Sequence, residues 1–208
     1  FDVDVIPTSA SFDGYRLIVV PPLPVLPDDL PQRLHDSGAQ VVFGPRSGSK
    51  TADVTIPANL APGPLAQYLP MRVWRVDAMR PTTRVAVRWG EQQGEARIWR
   101  DLVEVAGETK TVATFDDGHP AIVRHARLHY VAAIIDEALL RDYLAAVARE
   151  ADLPVTRLAD GVRVSRRGAL TYVFNYGDAP VAASHPPGAR WVIGDAQVPP
   201  QGVAVFQS

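Results

Sequence analysis

The residues Gly44-Pro45-Arg46-Ser47-Gly48-Ser49-Lys50-Thr51 come within one position of a phosphate-binding loop. Such a loop is written G-x-x-x-x-G-K-[ST]. Its second glycine lets backbone amides curl round phosphates, its lysine reaches the terminal phosphate and its hydroxyl holds magnesium. Here that second glycine is Ser49. The helix that should come next, N-terminus towards the anion, is ruled out by Ala52-Asp53-Val54-Thr55-Ile56-Pro57 and by Pro62 and Pro64. Nucleotide binding is disfavoured, and Arg46 and Lys50 are expected to meet protein groups. Ser47 and Ser49 also fail the G-x-S-x-G pattern of a serine hydrolase, because Pro45 and Ser47 stand where glycine is required. Thr8-Ser9-Ala10-Ser11 comes after a predicted strand, yet with no helix behind it the segment reads as a plain connection rather than a phosphate loop.

Other reactive types fare no better. His125 and His129 have the i, i+4 spacing of helical metal ligands, but residues 123–131 read as a strand. In a strand they stand about 13 Å apart, too far to share one ion. Asp116-Asp117 is the closest acidic pair, but consecutive extended residues point to opposite sides and Gly118 marks a turn. Glu91, Glu95, Glu104, Glu108, Glu137 and Glu150 fall in turns, on strand faces or on a helix surface and read as structural or solvated. Trp74, Trp89, Trp99 and Trp191 could stack on sugar rings, but large aromatics dominate buried contacts, so core or interface is the preferred reading. No catalytic, cofactor-binding or metal-ligating residue is assigned, and no cofactor is expected.

Composition narrows the classes further. The 208 residues are 47% hydrophobic and 21% charged with a net charge of -2, without the basic excess of a nucleic-acid binder. The absence of cysteine removes disulfides, thiol nucleophiles and Cys-ligated zinc. Apolar runs such as residues 17–26 are too short and proline-broken for a membrane span, which needs about 20 residues. Nucleic acid and membrane are therefore not expected partners, and a cytoplasmic setting is the default. The first residues, Phe1-Asp2-Val3-Asp4-Val5-Ile6, carry no initiator Met and alternate like a strand already under way, so the chain is expected to be a piece of a longer one.

The elements that would position these residues begin with strands at residues 3–6 and 16–20, a short helix at 30–35 and a buried strand at 39–43. Strand, helix, strand at this spacing predicts half of a doubly wound α/β sheet. Residues 51–66 form a long irregular excursion, and long loops in compact domains usually have a job. Strands are predicted at 71–76, 84–89, 98–105, 109–115 and 121–131, with turns at 90–94, 107 and 117–118. One strong helix comes after them, capped by Asp136, with Leu139, Leu140, Tyr143, Leu144 and Val147 on one face. Pro154 marks a boundary, and strands at 162–164, 170–176, 191–193 and 203–206 predict a small antiparallel β unit that needs a neighbour to pack on. The division is thus 1–153 and 154–208.

The order of segments resembles a known family. Phe12-Asp13-Gly14-Tyr15-Arg16-Leu17-Ile18-Val19-Val20-Pro21, Phe43 through Thr51, Met71-Arg72-Val73-Trp74-Arg75-Val76-Asp77-Ala78-Met79-Arg80-Pro81 and Val123-Arg124-His125-Ala126-Arg127-Leu128-His129-Tyr130 are similar to the trimerisation domain of family 42 glycoside hydrolase β-galactosidases. Gly161-Val162-Arg163-Val164, Phe174-Asn175-Tyr176-Gly177 and residues 198–206 are similar to that family's small C-terminal β domain. The resemblance implies a partial flavodoxin-like or glutamine-amidotransferase-like α/β domain. It implies a homotrimer, and a catalytic (β/α)8 barrel that carries the two glutamates of a retaining β-galactosidase and is not in this sequence. The chain would then be non-catalytic, with the galactoside bound at that barrel. A stand-alone nucleotide or flavin module and a carbohydrate-binding terminal β unit are the alternatives. Amidotransferase chemistry lacks its cysteine.

Overall fold

The computed structural model describes residues 3–207. It divides into two compact units, Pro7–Leu153 and residues 3–6 with 154–207.

In the larger unit the apolar run Leu17–Val20 forms β1, and Gln40–Phe43 forms β2. Between them α1, Leu30–Asp36, starts with Pro31 in its first turn and buries Leu30 and Leu34. The crossover makes β1 and β2 parallel, Leu17 opposite Gln40 and Val20 opposite Phe43. The excursion after β2 closes in a 3-10 helix, Gly63–Gln67, entered through a cis Ala61-Pro62 peptide.

Next come strands β3 Met71–Ala78, β4 Val85–Trp89, β5 Gln92–Val105, β6 Lys110–Phe115, β7 Pro120–His125, β8 Leu128–Val131 and β9 Ala133–Ile135. One nine-stranded sheet runs β1-β2-β8-β7-β6-β4-β5-β3, with β9 also on β5. Only β1, β2 and β8 are parallel neighbours. The sheet is therefore mixed and mostly antiparallel, which revises the expectation of a doubly wound half. The cause is connection length. Links such as Gly90-Glu91 between β4 and β5 can close only a hairpin, whereas a parallel return needs a crossover of a dozen residues or more.

Two boundaries also differ from the sequence reading. The predicted strand 121–131 is the hairpin β7–β8, turning at Ala126 with a positive φ of 50°. No glycine or asparagine announces that turn. Strand β5 begins at Gln92 rather than Ile98, so Gln92–Gly94 belong to the sheet opposite Val87–Trp89. Gly94 is needed there because a Cβ would stand 2.8 Å from Cβ of Leu139.

The second helix, α2, spans Glu137–Glu150. Asp136 caps it, Oδ1 accepting from the Leu139 amide at 3.1 Å and Oδ2 from the Glu95 amide at 2.6 Å. Burial alone would raise the Asp136 pKa, but the amides of Glu95, Leu139 and Ala138 outweigh it and hold the carboxyl below its usual range. Leu139, Tyr143 and Val147 meet Val42, Val87, Ala96 and Ile122 in the main core. That one apolar helical stripe on one sheet face is what fixes α2.

In the smaller unit β10 Val162–Arg167, β11 Leu170–Asn175, β12 Val181–Ala182, β13 Arg190–Ile193, β14 Gln197–Val198 and β15 Gly202–Gln207 give an antiparallel sheet β10-β11-β15-β13 and a β12-β14 ribbon. Its core holds Val162, Val173, Val198, Ala204 and Phe206. Asn175 is buried and ties the unit together, donating to Ala179 O at 2.8 Å and Pro199 O at 3.0 Å while accepting from the Gly177 amide at 2.9 Å. The expected N-terminal strand does not form at residues 3–6: Val3 and Val5 are 73% and 97% exposed and have no sheet partner. Its first residues, Phe1 and Asp2, lie outside the described residues.

Candidate functional site

The loop from Gly44 to Thr51 leaves β2 and is held at almost every amide. Gly44 N donates to Val20 O at 2.9 Å, Gly48 N to Leu23 O at 3.0 Å, Ser49 N to Arg46 O at 3.1 Å and Lys50 N to Pro24 O at 2.9 Å. The Arg46 amide donates to Oδ2 of Asp101 at 2.8 Å. The anion of this loop is therefore an internal carboxylate, and the amides a phosphate would use are taken. Gly48 sits at φ 68°, and a Cβ there would stand 2.7 Å from the Pro62 carbonyl carbon, so only glycine fits.

Asp101 lies on β5, 1% exposed, and collects three donors. Besides the Arg46 amide it accepts from Trp99 Nε1 at 2.8 Å and from the Tyr130 hydroxyl at 2.7 Å. Burial, and then the Asp101 charge, push the Tyr130 pKa well above its usual value, so the phenol stays a donor. The Arg46 guanidinium lies over the Trp99 ring, 4.6 Å from its centre. Arg46 thus meets protein groups as its sequence context suggests, and Lys50 is fixed through its backbone. Sequence reasoning did not single out Asp101 or Tyr130. The available signal is a carboxylate directly before the apolar pair Leu102-Val103 of a predicted strand.

Ser47 is fully buried, its Oγ donating to Gly44 O at 2.8 Å, which makes it a loop brace rather than a nucleophile. The Thr8 to Ser11 segment offers acceptors to a cation, the carbonyls of Thr8 and Ala10 receiving the Arg33 guanidinium. That is the reverse of what a phosphate loop presents.

His125 and His129 stand on the paired strands β7 and β8 rather than along one strand, opposite Leu128 and Arg124 respectively. His129 is 1% exposed. Its Nε2 donates to Oε1 of Gln40 at 3.0 Å, and its Nδ1 accepts from the Tyr143 hydroxyl at 2.6 Å. Burial, helped by the Arg124 charge, pushes its pKa down to about 4, so the ring is neutral and locked in the sheet-helix core. No group of three or more possible metal ligands gathers among the described residues.

Four of the eight candidate acids, Glu95, Glu104, Asp117 and Glu150, are engaged in ion pairs. Arg100 holds Asp77 at 3.0 Å and Asp117 at 2.7 Å. Burial would raise Asp117, but the Arg100 bond and charge with the His119 amide keep it low, so it cannot serve as a proton donor at neutral pH. Glu95 lies against Arg84 and Arg97, Glu104 against Arg72 and Glu150 against Arg124. Asp116 and Glu91, Glu108 and Glu137 are exposed. Among the tryptophans, Trp89 packs edge-on to Tyr143 at 5.1 Å and Trp191 edge-on to Phe206 at 5.1 Å. Trp74 is 42% exposed, tilted against His119.

Apolar side chains also stay open on the larger unit. Val54 and Ile56 are each 66% exposed, Ile98 62%, Val76 48% and Ile134 38%. Such exposed apolar side chains on a mixed sheet suit contact with another protein surface.

Comparison with known proteins agrees. Residues 1–154 match the family model described as the β-galactosidase trimerisation domain. The chain belongs to that family. It is 39% identical over 206 residues to a β-galactosidase of Thermus thermophilus, covering 99% of this chain and 32% of the relative. The crystal structure of the β-galactosidase from the psychrophilic Marinomonas ef1 superposes with a TM-score of 0.92 at 35% identity, over 99% of this chain and 31% of that one. The polyextremophilic β-galactosidase of Halorubrum lacusprofundi gives 0.88 at 27% identity, over 99% and 33%. The chain spans about a third of the length of the curated relatives it matches.

Proposed function

We propose that this chain is the association part of a β-galactosidase, holding a homotrimer together and packing its catalytic barrel, while hydrolysis of terminal β-D-galactosides takes place on carboxylates outside the chain. The observation that carries the reading is coverage: β-galactosidases match nearly all of this chain with only about a third of their own length. The acids present support it. Retaining hydrolysis needs one ionised and one protonated carboxyl about 5 to 5.5 Å apart. Asp117, which shares Arg100 with Asp77, is held ionised by that cation and so does not supply the acid. The β1-α1-β2 crossover with parallel β8 fits the remnant of a flavodoxin-like half-sheet. A nucleotide or flavin role is disfavoured by the Arg46 amide, already spent on Asp101.

The test uses a chromogenic β-galactoside. The complete gene product is expected to hydrolyse it and the 208-residue chain is not. Turnover by the pure chain, or none by the complete product, overturns the reading.

A further inference from the structure

The closed trimer of the proposed function, on which this contact rests, makes a geometric demand. Cyclic trimers use head-to-tail contacts, so each subunit must present two different patches, one to each neighbour. The larger unit carries two that suit one another.

The first is the tip at Asp53, Val54, Thr55 and Ile56. It is tied off at its base. Thr51 N donates to Thr55 O at 2.9 Å, Val54 N to Thr51 O at 2.9 Å, and the two threonine hydroxyls lie 2.7 Å apart. Farther along, Asn59 Nδ2 donates to Gly63 O at 2.9 Å. Val54 is held at φ 61°, a conformation that a β-branched residue rarely adopts, and it projects into solvent beside the exposed Ile56. Asp53, also exposed, is the one charged side chain between residues 51 and 62.

The second is an open groove of about 530 Å3 where β3 runs into β4, lined among others by Val76, Met79, Arg80, Val85 and Arg100. Its lining sets apolar Val76, Met79 and Val85 beside the basic Arg80 and Arg100 and the acidic Asp77. Arg80 is exposed, and the Asp77 carboxylate is already claimed by Arg75 and Arg100. The tip, 66% exposed at both Val54 and Ile56, does not fill the groove of its own chain.

We propose that the Asp53 to Ile56 tip of one subunit seats in this groove on a second copy. Val54 and Ile56 meet Val76, Met79 and Val85 there, and Asp53 faces Arg80. Three such contacts close the ring. Charge complementarity sets the direction, because the acidic Asp53 of the tip meets the exposed Arg80 of the groove and neither patch suits its own kind.

The test is sedimentation of the 208-residue chain and two variants, each checked for native circular dichroism. Val54→Asp spares the fold, since aspartate takes the left-handed conformation more readily than valine. Arg80→Glu changes one exposed side chain. Wild type is expected to sediment as a trimer, and each variant alone to lose roughly tenfold or more in association constant. Mixed, the two variants are expected to form a one-to-one heterodimer, since the Val54→Asp groove is intact and so is the Arg80→Glu tip. Asp53→Arg combined with Arg80→Glu restores the trimer. If wild type trimerises and either variant matches it, or the mixture stays monomeric, this contact is wrong and the association reading stands. If wild type is monomeric, the association reading itself falls.

Discussion

The Tyr130 hydroxyl donates to the Asp101 carboxylate at 2.7 Å in the floor beneath the Gly44 to Thr51 loop. Because the same oxygen also accepts the Arg46 amide, this pair joins β8 and β5 to the loop that leaves β2.

Removing the carboxylate leaves three buried or half-buried donors without their acceptor. Asp101→Ala is expected to destabilise the chain by about 3 kcal/mol or more, and Tyr130→Phe, which also orphans part of a charged acceptor, by about 1.5 kcal/mol. Urea unfolding checks both. A loss below about half a kcal/mol for Asp101→Ala would mean that the network contributes nothing to the fold.

Two glycines with positive φ separate backbone strain from steric exclusion. Gly48→Ala meets the Pro62 carbonyl and is expected to cost several kcal/mol, whereas Gly14→Ala, with nothing within 4 Å, is expected to cost only about 1 kcal/mol for the left-handed backbone. Equal losses in thermal melts would show that the loop does not press on Pro62.

These positions also show what the sequence could and could not disclose. The apolar runs of β1 and β2, the Asp136 cap and the stripe on α2 were legible because each is written locally. The hairpin at Ala126 was hidden because an ordinary L-residue takes its positive φ. Gly94 reads as a turn signal, yet it serves the close approach of Leu139. The Arg46-Asp101 bond spans 55 residues, and no local spacing points to it. The switch from parallel to antiparallel pairing was implicit in the short links after β3, which the early strand-helix-strand pattern overshadowed.

His129 gives a pH dependence of known sign. Its pKa is about 4 in the fold against 6.5 when solvated, so between these values the unfolded chain binds the extra proton. Stability contributed by the neutral ring is complete above about pH 6.5 and is lost as pH falls towards 4, on the order of 3 kcal/mol in all. Denaturant midpoints measured from pH 7 to pH 4 are expected to fall for wild type and to fall less steeply for His129→Gln. Identical slopes would mean that His129 is accessible to protons in the fold.

Val54 offers a gain rather than a loss. Made in the Arg80→Glu background, where the groove contact is weakened, Val54→Asn relieves a left-handed β-branched residue and is expected to stabilise the subunit by about 1 kcal/mol, read as a rise in melting temperature. A lower melting temperature would mean that the valine side chain is supported within its own subunit.

The central claim is that this chain exists to associate with copies of itself. Sedimentation equilibrium of the purified 208-residue chain tests it most directly. A mass three times that of the 22.6 kDa chain is expected, and a single 22.6 kDa species at every concentration would contradict the claim.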